Sequence, residues 1–441
     1  MAPNATSQDA LVAETAEDCF SGGHLPIGDE SIRVEDKIYS AKTLANMHPG
    51  GPLFIKSFAG RDASQAFLSY HRRQFPHSRV KEALEKVDPN VKVDPHAQDD
   101  FLELCERVDK VLPRMQSFAP WSYYLKASFI MGMAFSLEFY MHYTGNYRWY
   151  ISGLCGWFFA LIGLNIQHDA NHGALSRRSW VNRLWGLSQN WIGGSTISWI
   201  HQHVVQHHIH TNDIKLDPDI EGRVVVRLNP RKPVLKWHFL QHIYFFFIIL
   251  GFGFSVILSS FTTMLDGINY TPVSKMLNRQ RYLEMSWSIL HFIRWIVVPL
   301  YQAPSIYTFF NCAPMYIVVG WYLSFFFTLS HNFDGVTQLD NTQPSKSLLY
   351  NQVITSSNVG GKFLCFLNGG LNYQIEHHLF PRMHHGHYPK IAPVVKQFCA
   401  EKGIPYQHFP TVSSNAWACA KHLLEMGTQD VPKSAKHLVT S

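Results

Sequence analysis

The chain runs to 441 residues, enough for two or three domains, and 46% of its side chains are hydrophobic and 14% aromatic. Basic residues exceed acidic ones by 38 to 32, a net charge of +6 with no basic block, which excludes a nucleic-acid binder. Seven scattered cysteines without paired spacing exclude a disulfide framework and read as reduced thiols in a cytosol-facing protein.

Residues 1–25 are polar and expected to be disordered. Their start, MAPNATSQDA, lacks the basic and apolar segments of a cleaved signal. A small soluble domain follows over 26–95. Its centre is His48-Pro49-Gly50-Gly51, a tight turn whose glycines let backbone approach a flat ligand closely. Gly60-Arg61-Asp62-Ala63 and a short helix ending at His71 come next. Taken alone the tetrapeptide is no more than a turn. With His71 it can clasp a haem from opposite faces, and such a haem, with no open axial site for oxygen, would carry electrons. Two Asp-Pro pairs, at 88–89 and 94–95, lead into residues 96–120, which with their charged helical segment near 101–111 are read as a linker, so the parts are expected to be tethered and to move relative to one another.

The membrane part spans 121–427. Apolar runs over 123–143 and 149–167 are each long enough to cross a hydrocarbon core of about 30 Å, and the few residues between them make a helical hairpin. Glu138 and His142 in the first run are expected to face the protein interior. Arg177, Arg178 and Arg183 follow the second run and favour the cytosolic side. The run 239–265 is long enough to cross. Basic residues flank it at both ends (Arg231, Lys232, Lys236; then Lys275, Arg279, Arg281), so it is read as interfacial or re-entrant. Runs over 285–300 and 305–330 form a second hairpin. Amphipathic helices over 388–402 and 412–427 come after, and 428–441 is expected to be disordered.

Histidines recur at the edges of these runs. His168 and His172, and then His203 and His207, lie four apart, which on a helix puts both imidazoles on one face about 5–6 Å apart. His208 adjoins the second pair. A third group is Gln374-Ile375-Glu376-His377-His378, and His331 closes the last apolar run. One such pair is more often a surface or core pair. Three clusters, each at the edge of an apolar run, are much harder to dismiss. To share one centre, the second and third clusters must be separated by an even number of crossings, which agrees with the reading of 239–265. Imidazole suits iron, copper, zinc and nickel. A fused electron carrier favours iron, because zinc does no redox work.

These groups resemble the three histidine boxes of membrane fatty acid desaturases. Gln374 at the head of the last box resembles the front-end branch, which carries a fused cytochrome b5 domain, and the pattern around His48 and His71 is similar to that domain. The resemblance implies an N-terminal α+β cytochrome b5-like haem domain fused to an all-α integral membrane domain of four transmembrane helices, interfacial helices and a cytosolic cap. It implies haem b on His48 and His71. It also implies two iron ions on His168, His172, His203, His207, His208, His331, His377 and His378 with Gln374, no catalytic residue beyond these ligands, and O2 as co-substrate, reduced to water. The implied partners are a phospholipid- or CoA-linked fatty acyl chain, NADH–cytochrome b5 reductase and the bilayer. The implied location is the endoplasmic reticulum, with haem domain and boxes facing the cytosol. The middle box has three residues between its first histidine and the pair where many relatives have two, which leaves His201 as an alternative to His203. Asp169 and Asn171 are expected to orient histidines; Asp213, Asp217 and Asp219 are read as polar loop residues, and His210, His384, His385 and His387 as outside the ligand set. Further stretches, among them Gly163-Leu164-Asn165-Ile166-Gln167, Ser330-His331-Asn332-Phe333-Asp334-Gly335 and Asn368-Gly369-Gly370-Leu371-Asn372, look most like Δ4 desaturases of marine microalgae. These convert 22:5n-3 to 22:6n-3 and 22:4n-6 to 22:5n-6. The alternatives are a Δ5 (C20) or other front-end desaturase, a sphingoid-base desaturase, a fatty-acid hydroxylase with the same boxes, or, outside enzymes, a membrane-anchored haem electron carrier whose histidines are structural.

Overall fold

The computed structural model describes residues 23–221, 224–340 and 347–440, so the expected disorder of 1–22 and of Ser441 lies outside the described residues. Residues 23–25 are tied down: His24 bridges to Arg61, and the Leu25 amide donates to the Gly60 carbonyl.

The N-terminal unit is a three-stranded antiparallel sheet, β1 (Ser31–Val34), β2 (Lys37–Ser40) and β3 (Leu84–Val87), in the order β1-β2-β3. Three short helices cover it: α1 (Ala41–Met47), α2 (Leu53–Ser57) and α3 (Ser64–His71). Ser40 starts α1 by accepting the Thr43 amide, which satisfies one of the donors a helix start leaves open. Its core of Ile32, Val34, Tyr39, Leu44 and Phe58 does not end at the domain edge. Ile200, Val204 and Val205 of the membrane part belong to the same cluster.

This shared core corrects the expectation of a mobile tether. The supposed linker is α4 (Asp99–Val111), whose Phe101, Leu104, Cys105 and Val108 are buried against Phe380, Ile391, Val395 and Phe398. Burial of Phe101, Leu104 and Val108 is worth about 1.5–3 kcal/mol each, enough to hold the segment down. Its polar face hides the apolar one from a reading by composition. Arg72 at the end of α3 pairs with Asp109 of α4 at 2.9 Å.

Five long helices build the membrane part: α5 (Trp121–Thr144), α6 (Trp149–Asn171), α8 (His238–Asp266), α9 (Lys275–Gln302) and α10 (Ile306–His331), with α7 over 196–210 between α6 and α8. By length and apolarity α6, α8, α9 and α10 qualify as spans. The chain is an integral membrane protein. α5, with Lys126, Glu138 and several tyrosines, is less apolar and falls outside that set, yet at 24 residues it is about 36 Å long and can cross. Its charges are matched internally: the Arg294 guanidinium donates to both Glu138 oxygens at 2.6 Å, and Lys126 donates to Asn165 at 2.6 Å and to the Phe366 carbonyl.

The contacts at the helix ends fix their course. α5 starts beside the first histidine cluster, where the Ala119 amide donates to the Leu175 carbonyl, and ends at a hairpin whose Tyr147 hydroxyl donates to Gln302 at the far end of α9. α6 returns from that hairpin. α9 starts at Lys275, which pairs with Asp29 of the N-terminal domain. α10 ends at His331. These four helices run between the histidine side and the far side. α8 does not. Gln241 near its start donates to the Leu423 carbonyl of α13 (Val412–Thr428), and its last carbonyls accept from Arg281. Just beyond, Asn269 donates to the Ser198 carbonyl of α7. A 3-10 turn at Ile249–Gly251 interrupts α8, and Gly253 packs so closely on Gly320 of α10 that a Cβ at position 320 would lie 2.1 Å from the Gly253 nitrogen. Both ends of α8 therefore sit on the histidine side, as its basic flanks imply.

A cap closes that side: α11 (Gln374–Leu379), α12 (Tyr388–Glu401) and α13. The tail read as disordered is ordered through residue 440. Arg227 donates to the carbonyls of Gln429 and Asp430, the Ser434 hydroxyl donates to Gln338, and short helices form at Lys433–Ala435 and His437–Thr440. Backbone carbonyls binding a buried guanidinium leave no mark on composition.

Candidate metal centre and the adjoining cleft

The first two histidine groups sit where the helix is distorted. A π-helical turn, Gly163–Gln167, precedes His168, and a second, Ile200–His207, carries the middle group. The wider i→i+5 turn of a π-helix brings residues five apart onto one face. His203 and His208 accordingly meet, with their Nε2 atoms 3.2 Å apart and ring centroids at 4.7 Å. This geometry accounts for the three-residue spacing and puts His203 in the cluster. His201 turns away, its Nδ1 on the Ile197 carbonyl and its Nε2 accepting the Ser274 amide.

The nine side chains singled out in the sequence converge. His168, His172, His203 and His377 bring their ring nitrogens within 4.8 Å of one another, and His207, His331 and His378 do the same. His208 stands between the sets, 3.0 Å by Nε2 from His377 and stacked on His378 at 4.3 Å. Gln374 Nε2 lies 2.9 Å from His331 and 3.2 Å from His378. Gly369 lets the loop ahead of α11 seat against the first π turn. Its φ is +59°, and a Cβ there would fall 2.1 Å from the Leu164 carbonyl.

Five of the imidazoles are held by their outer nitrogen. Nδ1 of His207 meets Asp217 at 3.1 Å and Asp219 at 3.2 Å, and Nδ1 of His331 meets the Thr355 carbonyl at 3.0 Å. His377 meets the Tyr388 hydroxyl at 3.1 Å, His378 meets Gln352 Oε1 at 2.8 Å, and His172 meets the Tyr70 hydroxyl at 2.8 Å. Their Nε2 atoms are left pointing inward. Those of His168, His172 and His207 are buried without a hydrogen-bond partner, as is Gln374 Oε1. Buried polar atoms without partners are costly, and ligation by metal resolves the cost. Burial and neighbouring imidazoles hold His203, His208, His377 and His378 well below the ordinary histidine range, so they offer neutral lone pairs. Burial also opposes charge on His207, but the Asp217 and Asp219 carboxylates outweigh it and lift its imidazole to about 9. The donor set fits a pair of ions with nitrogen ligands.

Asp217 and Asp219 are thus no mere loop residues: they orient His207. A carboxylate pair two apart, ten and twelve residues past a ligand candidate, was the only available signal. Asp213 caps its own loop, accepting the Lys215 and Leu216 amides. Asp169 lies beside His168 at 3.8 Å and is gripped by His385 at 2.6 Å and His384 at 3.4 Å, so those two histidines pin the first group to the segment after the third. Asn171 donates to Gln167 rather than to a histidine. Glu376, the remaining buried acid on α11, is raised to about 7 by burial and accepts from Asn358 and Tyr406.

The cleft beside this centre holds His48 and His71, ring centroids 6.0 Å apart. Nδ1 of His48 donates to the Gly51 carbonyl at 2.8 Å and that of His71 to the Phe67 carbonyl at 3.0 Å, which leaves both Nε2 atoms facing the gap. A metal–imidazole bond is about 2 Å long, so one ion fits between them. The cavity, about 490 Å³, is lined by Ile32, Leu44, Phe58 and Phe67 on one side and by Ala170, Asn171 and Gly173 on the other. An apolar slot with two facing imidazoles suits haem.

A buried imidazole cluster at one face of a helical membrane domain, with a bis-histidine cleft docked on it, defines a membrane oxidoreductase that carries its own electron-transfer module. Residues 146–410 match the family model "Fatty acid desaturase", and residues 28–103 match "Cytochrome b5-like Heme/Steroid binding domain". The chain belongs to the fatty acid desaturase family, in the front-end branch with a fused cytochrome b5 domain. It is similar to the acyl-lipid (7-3)-desaturases of Rebecca salina, 42% identical over 412 residues (91% of each chain), and of Diacronema lutheri, 39% identical over 440 residues (97% of this chain and 98% of the other). It is also similar to the acyl-lipid (8-3)-desaturase of Physcomitrium patens, 30% identical over 457 residues (96% and 91%).

Proposed function

We propose that this desaturase introduces a Δ4 double bond into very-long-chain polyunsaturated acyl chains, turning 22:5n-3 into 22:6n-3 and 22:4n-6 into 22:5n-6. Haem b is held by His48 and His71. Two iron ions are held by His168, His172, His203, His207, His208, His331, His377 and His378, with Gln374 beside the second set. The carrying observation is the convergence of these nine side chains, Nδ1 atoms tied outward and Nε2 atoms inward. Bound iron would supply the oxidising power, with O2, that removes two hydrogens from adjacent methylenes. The protein's part is placement. Asp217, Gln352, Thr355, Tyr70 and Tyr388 fix the tautomer and angle of the imidazoles. Trp199, with its ring 4.5 Å from His203 and 5.2 Å from His172, walls off that flank of the cluster from water.

The Δ4 position is supported by the relatives: those at 42% and 39% identity are (7-3)-desaturases, and the (8-3)-desaturase stands at 30%. Their names specify an acyl lipid, which favours a lipid-linked chain over a CoA thioester. Electrons enter from NADH–cytochrome b5 reductase through the haem domain, with the haem domain and histidine side facing the cytosol from the endoplasmic reticulum. Domain limits of 26–95 and 121–427 are proposed for the two functional units, with α4 as a packed connector rather than a free linker.

The test is gas chromatography–mass spectrometry of yeast that expresses the chain and is fed C22 or C20 polyunsaturated acids separately. A new Δ4 bond in 22:5 or 22:4 is the expected result. Conversion of only 20:3 or 20:4 at Δ5 would overturn the position and keep the reaction class, and hydroxylated products would overturn the outcome of hydrogen removal.

A further inference from the structure

We propose that Tyr70 is a positioning residue that couples the haem domain to the metal centre. It adjoins His71 in the chain, and its hydroxyl oxygen meets Nδ1 of His172 at 2.8 Å. The inference rests on the reading above, in which His71 holds haem and His172 holds iron.

Tyr70 reaches out of α3 across the domain boundary. Its ring packs on Phe54 at 5.5 Å, and Phe54 lies against Gly173, where a Cβ would be 3.5 Å from the ring. His172 Nδ1 has no other hydrogen-bond partner among the described residues, and its Nε2 is buried and unpartnered. With Nε2 as a ligand, Nδ1 keeps its proton and donates to the phenol oxygen. A phenol titrates at about 10, so Tyr70 is neutral and protonated at neutral pH. It fixes the His172 ring and provides a path of one peptide unit and one hydrogen bond between the two sites.

The docking that holds this contact is itself specific. Arg61 donates to the Thr271 hydroxyl at 3.2 Å and to the Pro272 carbonyl at 3.1 Å, Lys275 pairs with Asp29, and the shared cluster with Val204 and Val205 closes the joint. A carrier swinging on a tether could not keep a 2.8 Å contact to a buried imidazole. Each passage would move one electron from haem held by His71, oxidised by one unit, to iron held by His172, reduced by one unit. No bond is made or broken, and no proton leaves Tyr70. Two passages, two protons from solvent and two hydrogens from the acyl chain reduce one O2 to two waters.

The test uses the full-length holoprotein in lipid nanodiscs containing phosphatidylcholine with 22:5n-3 chains. Pre-reduced haem is mixed with oxygen, and its reoxidation is followed by absorbance for wild type, Tyr70→Phe and Tyr70→Leu. Tyr70→Phe is expected to keep haem content and the haem spectrum while haem reoxidation, measured per bound iron, slows about tenfold, the usual effect of losing a partner that orients a metal ligand. Tyr70→Leu, which also loses the ring, should slow at least as much. With both sites reduced beforehand by dithionite and the excess removed, the first turnover draws no electron from the haem, so its product yield per bound iron should fall less in Tyr70→Phe than haem reoxidation does. Wild-type reoxidation rates in both variants would overturn the proposal and point to a direct route through Gly173. So would an equal loss of first-turnover product, which places the defect in the metal centre rather than in the coupling. Wild-type protein that holds haem yet never reoxidises it with lipid and oxygen would overturn the desaturation reading itself.

Discussion

At the scale of single residues, function depends on what stands behind each histidine. His207 is the clearest case, because two carboxylates hold its outer nitrogen. Asp217→Asn should cut iron retention and product formation about 10–100-fold, read as iron per protein and as conversion in fed yeast. His201→Ala should leave iron retention intact, because both His201 nitrogens serve backbone groups away from the cluster. An equal loss of iron in the two variants would contradict this division. Within the membrane, Arg294 and Glu138 form a two-pronged pair on which the fold relies. Arg294→Met strands a buried carboxylate and should cost about 3–5 kcal/mol, seen as a lower unfolding midpoint in detergent, and Arg294→Met with Glu138→Gln should recover most of it.

At the scale of elements, the histidine spacings depend on helix type. An ordinary α-turn would put His203 over His207 alone, and the π turn over Ile200–His207 lets it face His208 as well. The sequence showed the spacing but not the turn, because i→i+5 bonding depends on what the helix packs against. α13 carries a second element-level device. His422 is buried there and burial pushes its imidazole down to about 4. The unfolded chain binds a proton near pH 6.5 that the folded one refuses, so the contribution to stability is full above pH 6.5 and is lost as pH falls toward 4. The total is about 3 kcal/mol. Unfolding midpoints should drop between pH 7 and pH 5 in wild type and drop less in His422→Asn; identical slopes would show that His422 is hydrated or paired.

At the scale of the whole molecule, two arrangements matter. The haem domain is seated on α7, the helix that carries the middle histidine group, so one apolar cluster stabilises both. The second is the return of α8 to the histidine side, which keeps all three groups on one face. Single cysteines placed at Lys236 and at Asp266, in a background lacking reactive thiols, should both label from the side that labels the haem domain. Labelling of the two positions from opposite sides would mean α8 crosses, which the shared cluster of His207, His331 and His378 does not accommodate.

Much of this protein was set by its linear pattern. Histidines four apart at the edges of apolar runs, a Pro-Gly-Gly turn after His48, and basic residues on both flanks of α8 are local features, and local periodicity or charge suffices to read them. The tertiary structure alone decided that Asp217 and Asp219 stand behind His207, that His203 rather than His201 enters the cluster, that α4 is packed, that residues 428–440 are ordered, and that Tyr70 touches His172. Each of these depends on partners distant in the chain or on the turn of a helix. Such contacts form because burial leaves a polar atom or an apolar face needing a neighbour, and the identity of that neighbour is a property of the packed molecule, not of spacing along the chain.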